Sequence, residues 1–306
     1  MYGRLIKTHT SIEMSKRLAC TMKCRFWILV VCIVGIIWFR SIRLLIVNIH
    51  PKSSGLGNQL FMYAAAVSLA EKNPDFSVCW SSWEWFALEI HTNSFFLHHV
   101  QPAVILPECS SWTSFTGELL LPRFVPPPWK YVPFTPKAAT LVNSCMESFR
   151  YFPTMKPIYS IKSSPAATQW MLKHNLTSAI HVRRTDYSSL AAPIGFYKRN
   201  HVKGRAVVVT DDPAWILQHP EVFGNHVLSE GHDPGFDMAL LAAATDKVVI
   251  GIGTFAWWGA YLSNARQIVY YCHQVGYESD QYVEKDHMPE RWIKDHIPKR
   301  WKNHMS

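Results

Sequence analysis

A cluster of charged side chains follows the short apolar stretch "SAIHV", which is typical of a buried strand. Arg183, Arg184 and Asp186 come directly after it. Side chains alternate along a strand, so His181 and Arg183 are predicted to share one face of the sheet, with Val182 on the other. Arginine suits phosphate because its planar guanidinium donates two parallel charge-assisted hydrogen bonds. The spacing predicts a phosphate-binding strand end, with a solvated turn as the alternative, and we expect Arg184 to pair with Asp186.

A second candidate anion site follows another apolar stretch, in the sequence "GIGTF" at residues 251–255. Gly251 and Gly253 allow the backbone to approach a ligand closely. A helix that begins at Thr254 would present free N–H groups and the positive end of its dipole. A basic strand end and a helix N-terminus in one sheet support each other, and together they favour a phosphate-bearing ligand.

The elements that must position these residues alternate between strands and helices. Strands are predicted at Leu44–Asn48, 178–182, Arg205–Thr210 and Lys247–Gly253, and helices at 60–73, 213–218, 236–245 and 254–263. This alternation is typical of a parallel sheet covered on both faces, where ligands bind at the carboxyl ends of the strands. Residues 80–150 hold many Trp and Pro residues and are predicted to form long loops with short elements.

The charge distribution argues against a nucleic-acid partner. The chain has 306 residues and a formal net charge of +9, but six basic residues and one acidic residue lie within residues 1–25. This leaves a net charge of +4 for the other 281 residues, which is too small to indicate a nucleic-acid-binding surface.

The segment Phe26–Phe39 carries no charged residue and follows this basic tail. We expect a single-pass signal anchor, with residues 1–25 in the cytoplasm and everything after residue 39 in the lumen; a cleaved signal peptide and a buried helix are the alternatives. Asn175 begins an "NLT" glycosylation sequon, which suits a luminal chain. Four cysteines would face an oxidising compartment with their pairing left open: Cys79, Cys109, Cys145 and Cys272.

Four segments in this order resemble glycosyltransferase family 11: "GLGNQLFMYAAAVSLA", "HVRRTDY", "VVVTDDPAW" and "FDMALLAAATDKVVIGIGTFAWWGAYL". Members of this family are α-1,2-fucosyltransferases that use GDP-fucose. The resemblance implies an α/β fold of the GT-B type, with two Rossmann-like halves and a donor cleft between them. We assign residues 44–152 to an acceptor-side half and 153–306 to a GDP-fucose-binding half. The implied reaction is an inverting transfer of L-fucose to the 2-hydroxyl of a terminal galactose on a glycan, and we expect a Golgi membrane location of the single-pass type II kind.

The resemblance also implies roles for single residues. Arg183 would hold the β-phosphate, His181 would lie beside the nucleotide and Asp237 would contact the guanosine end. The pyrophosphate would be bordered by Gly253, Thr254 and Phe255. An acceptor-side loop would face the donor across the cleft: Gly55, Gly57, Asn58 and Gln59. Arg183 and Asp186 are our candidate catalytic residues, and Glu147 is a second candidate for the general base.

No metal cofactor is expected, although "TDD" at residues 210–212 resembles an acidic metal motif. Asp212 precedes Pro213, where a helix N-cap belongs. Arg183 and a helix dipole would instead neutralise the leaving diphosphate. The chain departs from the family pattern at Ala256, where serine is common, and at Ser54 and Gly55, where the family has Gly-Arg. The alternative function is a catalytically inactive membrane-anchored protein that binds a sugar nucleotide or a glycan.

Overall fold

The computed structural model describes the chain in twelve stretches, which are residues 44–48, 55–81, 101–102, 123–127, 130–136, 140–142, 146–152, 159–160, 165–186, 190–229, 233–271 and 284–295. The predicted cytoplasmic tail (1–25) and signal anchor (26–39) lie outside these residues. Within the stretches that are described, no helix combines the length and apolar character needed to cross a bilayer.

The first half of the chain forms a four-stranded parallel sheet, the N-terminal sheet, with strand order β2-β1-β5-β4. Its predicted first strand, Leu44–Asn48, is confirmed. A separate antiparallel pair joins β3 to β6. The strands are β1 (Leu44–Asn48), β2 (Ser77–Ser81), β3 (Gln101–Pro102), β4 (Arg123–Phe124), β5 (Thr140–Val142) and β6 (Tyr159–Ser160).

The second half forms a six-stranded parallel sheet, the C-terminal sheet, with strand order β9-β8-β7-β10-β11-β12. This is the 3-2-1-4-5-6 order of the doubly wound Rossmann fold, whose switch point lies between β7 and β10. The predicted parallel α/β class is thereby confirmed. The strands are β7 (Ser178–Val182), β8 (Ala206–Thr210), β9 (Val227–Leu228), β10 (Lys247–Ile250), β11 (Gln267–Tyr271) and β12 (Ile293–Asp295).

Local sequence explains where several helices begin. Asp212 caps one helix by accepting a hydrogen bond from the backbone N–H of Trp215 at 3.0 Å, as predicted. Asp233 caps another with Pro234 in its first turn, so that helix begins two residues earlier than predicted. The helices are α1 (Leu56–Lys72), α2 (Pro165–Lys173), α3 (Ile194–Arg199), α4 (Pro213–Leu217), α5 (Pro220–Phe223), α6 (Pro234–Ala243), α7 (Thr254–Leu262) and α8 (Glu284–His287).

Alternating residues of the C-terminal sheet supply two hydrophobic cores, one on each face. Ile180 and Val182 of β7 face the core that contains α3 and α4, while Ala179 faces the core that contains α1, α6 and α7. The period of two therefore directs His181 and Arg183 towards α7, and their predicted common face is confirmed. The core around α1 and α7 also includes Leu45 and Val47 of β1, so one core serves both sheets.

Helices α1 and α7 join the two sheets by packing side by side with their N-termini together. Gly57 on α1 lies against Thr254 and Phe255 of α7: a Cβ atom at Gly57 would lie 2.4 Å from the Phe255 nitrogen. One turn further along, the rings of Phe61 and Trp257 are 4.5 Å apart. Trp257 is buried, as is its neighbour Trp258.

The segment around α8 fastens the second half to the first. The Ser148 hydroxyl donates to the backbone carbonyl of Asp286 at 2.5 Å, and the Asp286 carboxylate accepts from Arg150 at 2.7 Å. The His287 Nδ1–H donates to the Glu147 carbonyl, because a carbonyl can only accept. Burial lowers the pKa of His287 to about 4, so the ring is neutral at physiological pH.

We expect Gly57→Ala to lower the free energy of unfolding by at least about 2 kcal/mol, since the added methyl group meets backbone atoms that cannot rotate away. The matched control is Gly55→Ala two residues earlier, where a Cβ atom meets nothing within 4 Å. This control should change the free energy by less than about 1 kcal/mol. Denaturant melts of both variants measure the difference, and equal stability would contradict the close contact between α1 and α7.

Candidate active site

The loop that follows β7 is held by a carboxylate from the end of β8. Asp211 Oδ1 accepts a hydrogen bond from the backbone N–H of Arg184 at 2.8 Å. Its Oδ2 accepts from the backbone N–H and the hydroxyl of Thr185, at 3.2 Å and 2.6 Å. Asp211 therefore positions the loop that carries Arg183. The sequence interpretation missed this role, although an aspartate at the end of the neighbouring strand was a usable signal.

Arg183, rather than Arg184, is the partner of Asp186, so the predicted pair is wrong. The Nε and Nη2 atoms of Arg183 donate to Asp186 Oδ1 and Oδ2 at 2.9 Å and 2.5 Å. The three-residue spacing lets the loop curl back on its own arginine. These hydrogen bonds lower the pKa of Asp186.

Arg184 points away from this pair, towards α4. Its guanidinium carbon lies 4.2 Å from the centre of the Trp215 ring, a cation–π contact. Its Nε is 3.6 Å from Asp212 Oδ2. Adjacent residues leave a strand in opposite directions, which is why Arg183 and Arg184 cannot both reach Asp186.

The Arg183 side chain packs against the N-terminus of α7. Gly253 precedes this helix with a φ of +104°, a conformation that favours glycine. A Cβ atom at Gly253 would lie 3.0 Å from Arg183 Nη1. Gly253 has no side chain to cap the helix, and the first N–H groups of an α-helix have no intrahelical partner. The predicted strand end and helix N-terminus therefore meet.

His181 lies behind Arg183 and is 5% exposed. Its ring centre is 5.8 Å from that of Phe255 on α7. Burial lowers the pKa of His181 to about 4, although the Asp211 carboxylate acts in the opposite direction. Among the residues that the structure describes, its Nδ1 has no hydrogen-bond partner. A neutral imidazole with an unpaired buried nitrogen is expensive unless a ligand group satisfies it.

The predicted acceptor-side loop is the first turn of α1, because the helix begins at Leu56. Gly55 is its N-cap residue and, like Gly253, supplies no capping side chain. Asn58 faces α7 and accepts a hydrogen bond from the Thr254 hydroxyl at 2.5 Å. Gln59 is buried inside the fold rather than exposed to a cleft.

Asp237 lies further along the same edge of the C-terminal sheet. It occupies the first turn of α6, and its carboxylate accepts a hydrogen bond from the hydroxyl of Ser229, just after β9. Strand β9 is two positions from β7, or roughly 10 Å at the usual spacing between strands. Asp237 therefore shares the carboxyl edge with Arg183 but is separated from it by β8.

These contacts bring two helix N-termini and Arg183 together at the switch point between β7 and β10. The N-termini of α1 and α7 meet there through Gly57 and Thr254, and Arg183 lies beside them. Each helix end carries about half a positive charge, so the arrangement concentrates positive potential beside Arg183, whose own charge is paired with Asp186. Such a point binds phosphate readily, because backbone N–H groups and a guanidinium converge on it.

Neither a metal-binding cluster nor the cavity found in the described residues offers an alternative site at this position. Within the described ranges, no group of three or more His, Cys, Asp or Glu side chains could hold a metal ion. A cavity of about 590 Å³ is lined in part by Arg150, Lys285 and Arg291. Arg291 is close enough to Tyr261 for its charge to act on the pKa of the phenol. Tyr261 lies near the end of α7 opposite to Gly253, so the cavity is at that end. Eight residues of helix, about 12 Å, separate the two ends.

The structure also describes three other residues from the sequence analysis. Asn175 is exposed with a φ of 54°, at the end of α2, and is accessible for glycosylation. Cys79 forms a disulfide. Glu147 is buried beside His287, and its role as a base stays a prediction.

A comparison with protein families matches one segment of the chain. The family model described as Glycosyl transferase family 11 covers residues 172–296, which include every strand of the C-terminal sheet. The resemblance to glycosyltransferase family 11 is confirmed over these residues. A glycosyltransferase is thus the class of protein that the matched segment indicates. No curated protein sequence matches the chain.

Solved structures are similar to the chain at low sequence identity. The crystal structure of the fucosyltransferase NodZ from Bradyrhizobium is 14% identical over 73% of this chain and 94% of that chain, with a TM-score of 0.44. POFUT1 in complex with GDP is 10% identical, over 83% and 99%, with a TM-score of 0.43. The E. coli heptosyltransferase WaaC with ADP is 12% identical, over 87% and 100%, also with 0.43. These TM-scores are below 0.5, so the proposals depend on the family match and the site geometry.

We expect Asp211→Asn to lower the free energy of unfolding by about 1 kcal/mol, because one amide oxygen cannot replace two carboxylate oxygens. Hydrogen exchange of the Arg184 and Thr185 amides should also become faster. The control is Asp212→Asn, since asparagine caps a helix as well as aspartate does. Denaturant melts and amide exchange measure both variants. Unchanged exchange at Arg184 and Thr185 would contradict the bracing role of Asp211.

Proposed function

We propose that the chain is an inverting fucosyltransferase of the GT-B type, which transfers L-fucose from GDP-fucose to the 2-hydroxyl of a terminal galactose on a glycan. The observation that carries the proposal is the contact of Arg183 with the N-terminus of α7 at the switch point of a doubly wound sheet. Ligands of such sheets bind at this position. The family match over residues 172–296 supports glycosyl transfer as the reaction.

The proposed donor lies along the carboxyl edge of the C-terminal sheet. Its β-phosphate binds between Arg183 and the N–H groups of Thr254 and Phe255, where the positive potential is concentrated. The nucleotide then extends past β8 towards Asp237 on α6. The guanine has two N–H groups, and a carboxylate accepts hydrogen bonds from such groups well. His181 lies beside this path, with Nδ1 available to a donor group.

The proposed chemistry depends mainly on the leaving group. As the bond between the fucose anomeric carbon and the phosphate breaks, negative charge develops on the diphosphate and positive charge on the sugar ring. Arg183 and the two helix N-termini stabilise the diphosphate because they are already oriented before the reaction. The acceptor hydroxyl attacks from the opposite face, in line with the departing diphosphate, which inverts the anomeric centre.

A base must take the proton of the acceptor hydroxyl. Asp186 is the candidate nearest in sequence to the phosphate site, but its hydrogen bonds to Arg183 lower its pKa. It becomes a better base only when Arg183 releases it. Glu147 is the second candidate; its side chain is buried, and its backbone carbonyl accepts a hydrogen bond from His287.

We propose that the reaction needs no metal cofactor, because Arg183 and the helix N-termini supply the positive charge that a divalent cation supplies elsewhere. Asp211 and Asp212 are both engaged as structural acceptors. We also propose a single-pass type II protein of the Golgi membrane with a luminal catalytic region. The disulfide of Cys79 and the exposed sequon at Asn175 are compatible with an oxidising, glycosylating compartment.

The proposed function predicts that the purified full-length chain transfers fucose from GDP-fucose to galactose-terminated oligosaccharides on a glycan array. Linkage analysis of the product should give an α-1,2 bond. Activity should survive excess EDTA. Binding of GDP-fucose without transfer to any acceptor would favour the inactive binding protein. Activity that is lost to EDTA and restored by Mn²⁺ would contradict the metal-free mechanism.

Substitutions at the two arginines provide a matched prediction. Arg183→Ala should reduce turnover at least about tenfold, and Arg183→Lys nearly as much, because lysine keeps the charge but loses the planar fork. Arg184→Lys should affect stability more than turnover, since its side chain stacks on Trp215. Steady-state kinetics and thermal melts of all three variants measure this. Full activity of Arg183→Ala would mean that the phosphate binds elsewhere.

A further inference from the structure

Two carboxylates flank the loop after β7, and they are held in different ways. Asp211 accepts three hydrogen bonds from the backbone and side chain of Arg184 and Thr185. The Asp186 side chain is 56% exposed, and within the described ranges its carboxylate is paired with Arg183 and its own backbone N–H. Asp211 is thus fixed by the fold, whereas Asp186 can leave its partner for water at small cost.

The Asp186 carboxylate occupies the fork of Arg183 in the way that a phosphate would. Its two oxygens accept from Nε and Nη2, which is the two-toothed geometry that arginine also uses for phosphate. The same guanidinium packs against Gly253 at the N-terminus of α7. An anion that binds there and takes the fork must therefore replace Asp186.

We infer that Asp186 is an internal counter-ion, which the terminal phosphate of a nucleoside diphosphate displaces from Arg183 and which returns to Arg183 when the diphosphate leaves. The inference rests on the donor under the proposed function. Exchange of one anion for another keeps Arg183 paired in both states, so its positive charge is never left without a partner. The returning carboxylate weakens the hold on the product and promotes its release.

The size of the effect follows from the exposure of the pair. Ion pairs in water contribute little, and the upper end of their range corresponds to about a fivefold change in affinity. Removal of the Asp186 charge should therefore strengthen diphosphate binding about two- to fivefold. A ligand without a β-phosphate does not need the Arg183 fork and should gain nothing.

The test is the dissociation constant of GDP and of GMP, measured by calorimetry on the full-length chain and on Asp186→Asn. We expect GDP to bind about two- to fivefold more tightly to the variant, and GMP to bind equally to both. Product inhibition by GDP should strengthen by the same factor. Asp186→Ala, which keeps no hydrogen bond to Arg183, should give the same direction.

The matched control is Asp246→Asn. Asp246 pairs with Arg266 at 2.7 Å and precedes β10, at the opposite edge of the sheet, so the variant loses the same charge away from the site. GDP affinity should not change. If Asp246→Asn increased GDP affinity as much as Asp186→Asn does, net charge would explain the effect, and the inference would be overturned.

Other outcomes separate this inference from the proposed function. Weaker GDP binding by Asp186→Asn would mean that Asp186 orients Arg183 and would overturn the exchange. An equal gain for GMP and GDP would overturn it as well. GDP binding that is unaffected by the substitution would overturn the exchange alone. If the native chain does not bind GDP, the proposed donor is wrong, and the inference that rests on it falls too.

Discussion

The parallel packing of α1 against α7 is the constraint on which the rest of the structure depends. It joins the two sheets, and it requires Gly57, because any side chain there would meet the backbone of Thr254 and Phe255. Phe61 and Trp257 extend the contact along both helices. The same contact brings two uncapped helix N-termini to one point. The interface that holds the fold together therefore also places positive potential at that point.

That juxtaposition has an electrostatic cost when no ligand is bound, since like ends of two helix dipoles repel each other. Arg183 adds a full positive charge at the same point. The Asp186 carboxylate partly balances this charge, and a diphosphate would balance it more completely. Under the proposed function, this positive potential would stabilise the leaving diphosphate without reorganisation during the reaction, because the fold itself creates it.

The surroundings of the site are built to keep Arg183 in position. Asp211 braces the loop backbone, and Arg184 anchors the next residue on Trp215. On the far side of α7, hydrogen bonds from α8 to the segment at Glu147 hold the two halves in register. A shift of about one ångström at Arg183 would weaken a two-toothed contact with phosphate, so these supports would matter under the proposed function.

Much of the fold could be predicted from the sequence, because the local periodicity of apolar residues indicates strands and helices. The strand at 178–182, the common face of His181 and Arg183, and the helix that begins at Thr254 all follow from spacing alone. The partner of Asp186, the bracing by Asp211 and the close approach of Gly57 to α7 do not. Each depends on the distance between residues from different elements, which the tertiary structure decides. Local sequence determined which side chains point to the site, and the packing of two sheets through α1 and α7 determined what they meet there.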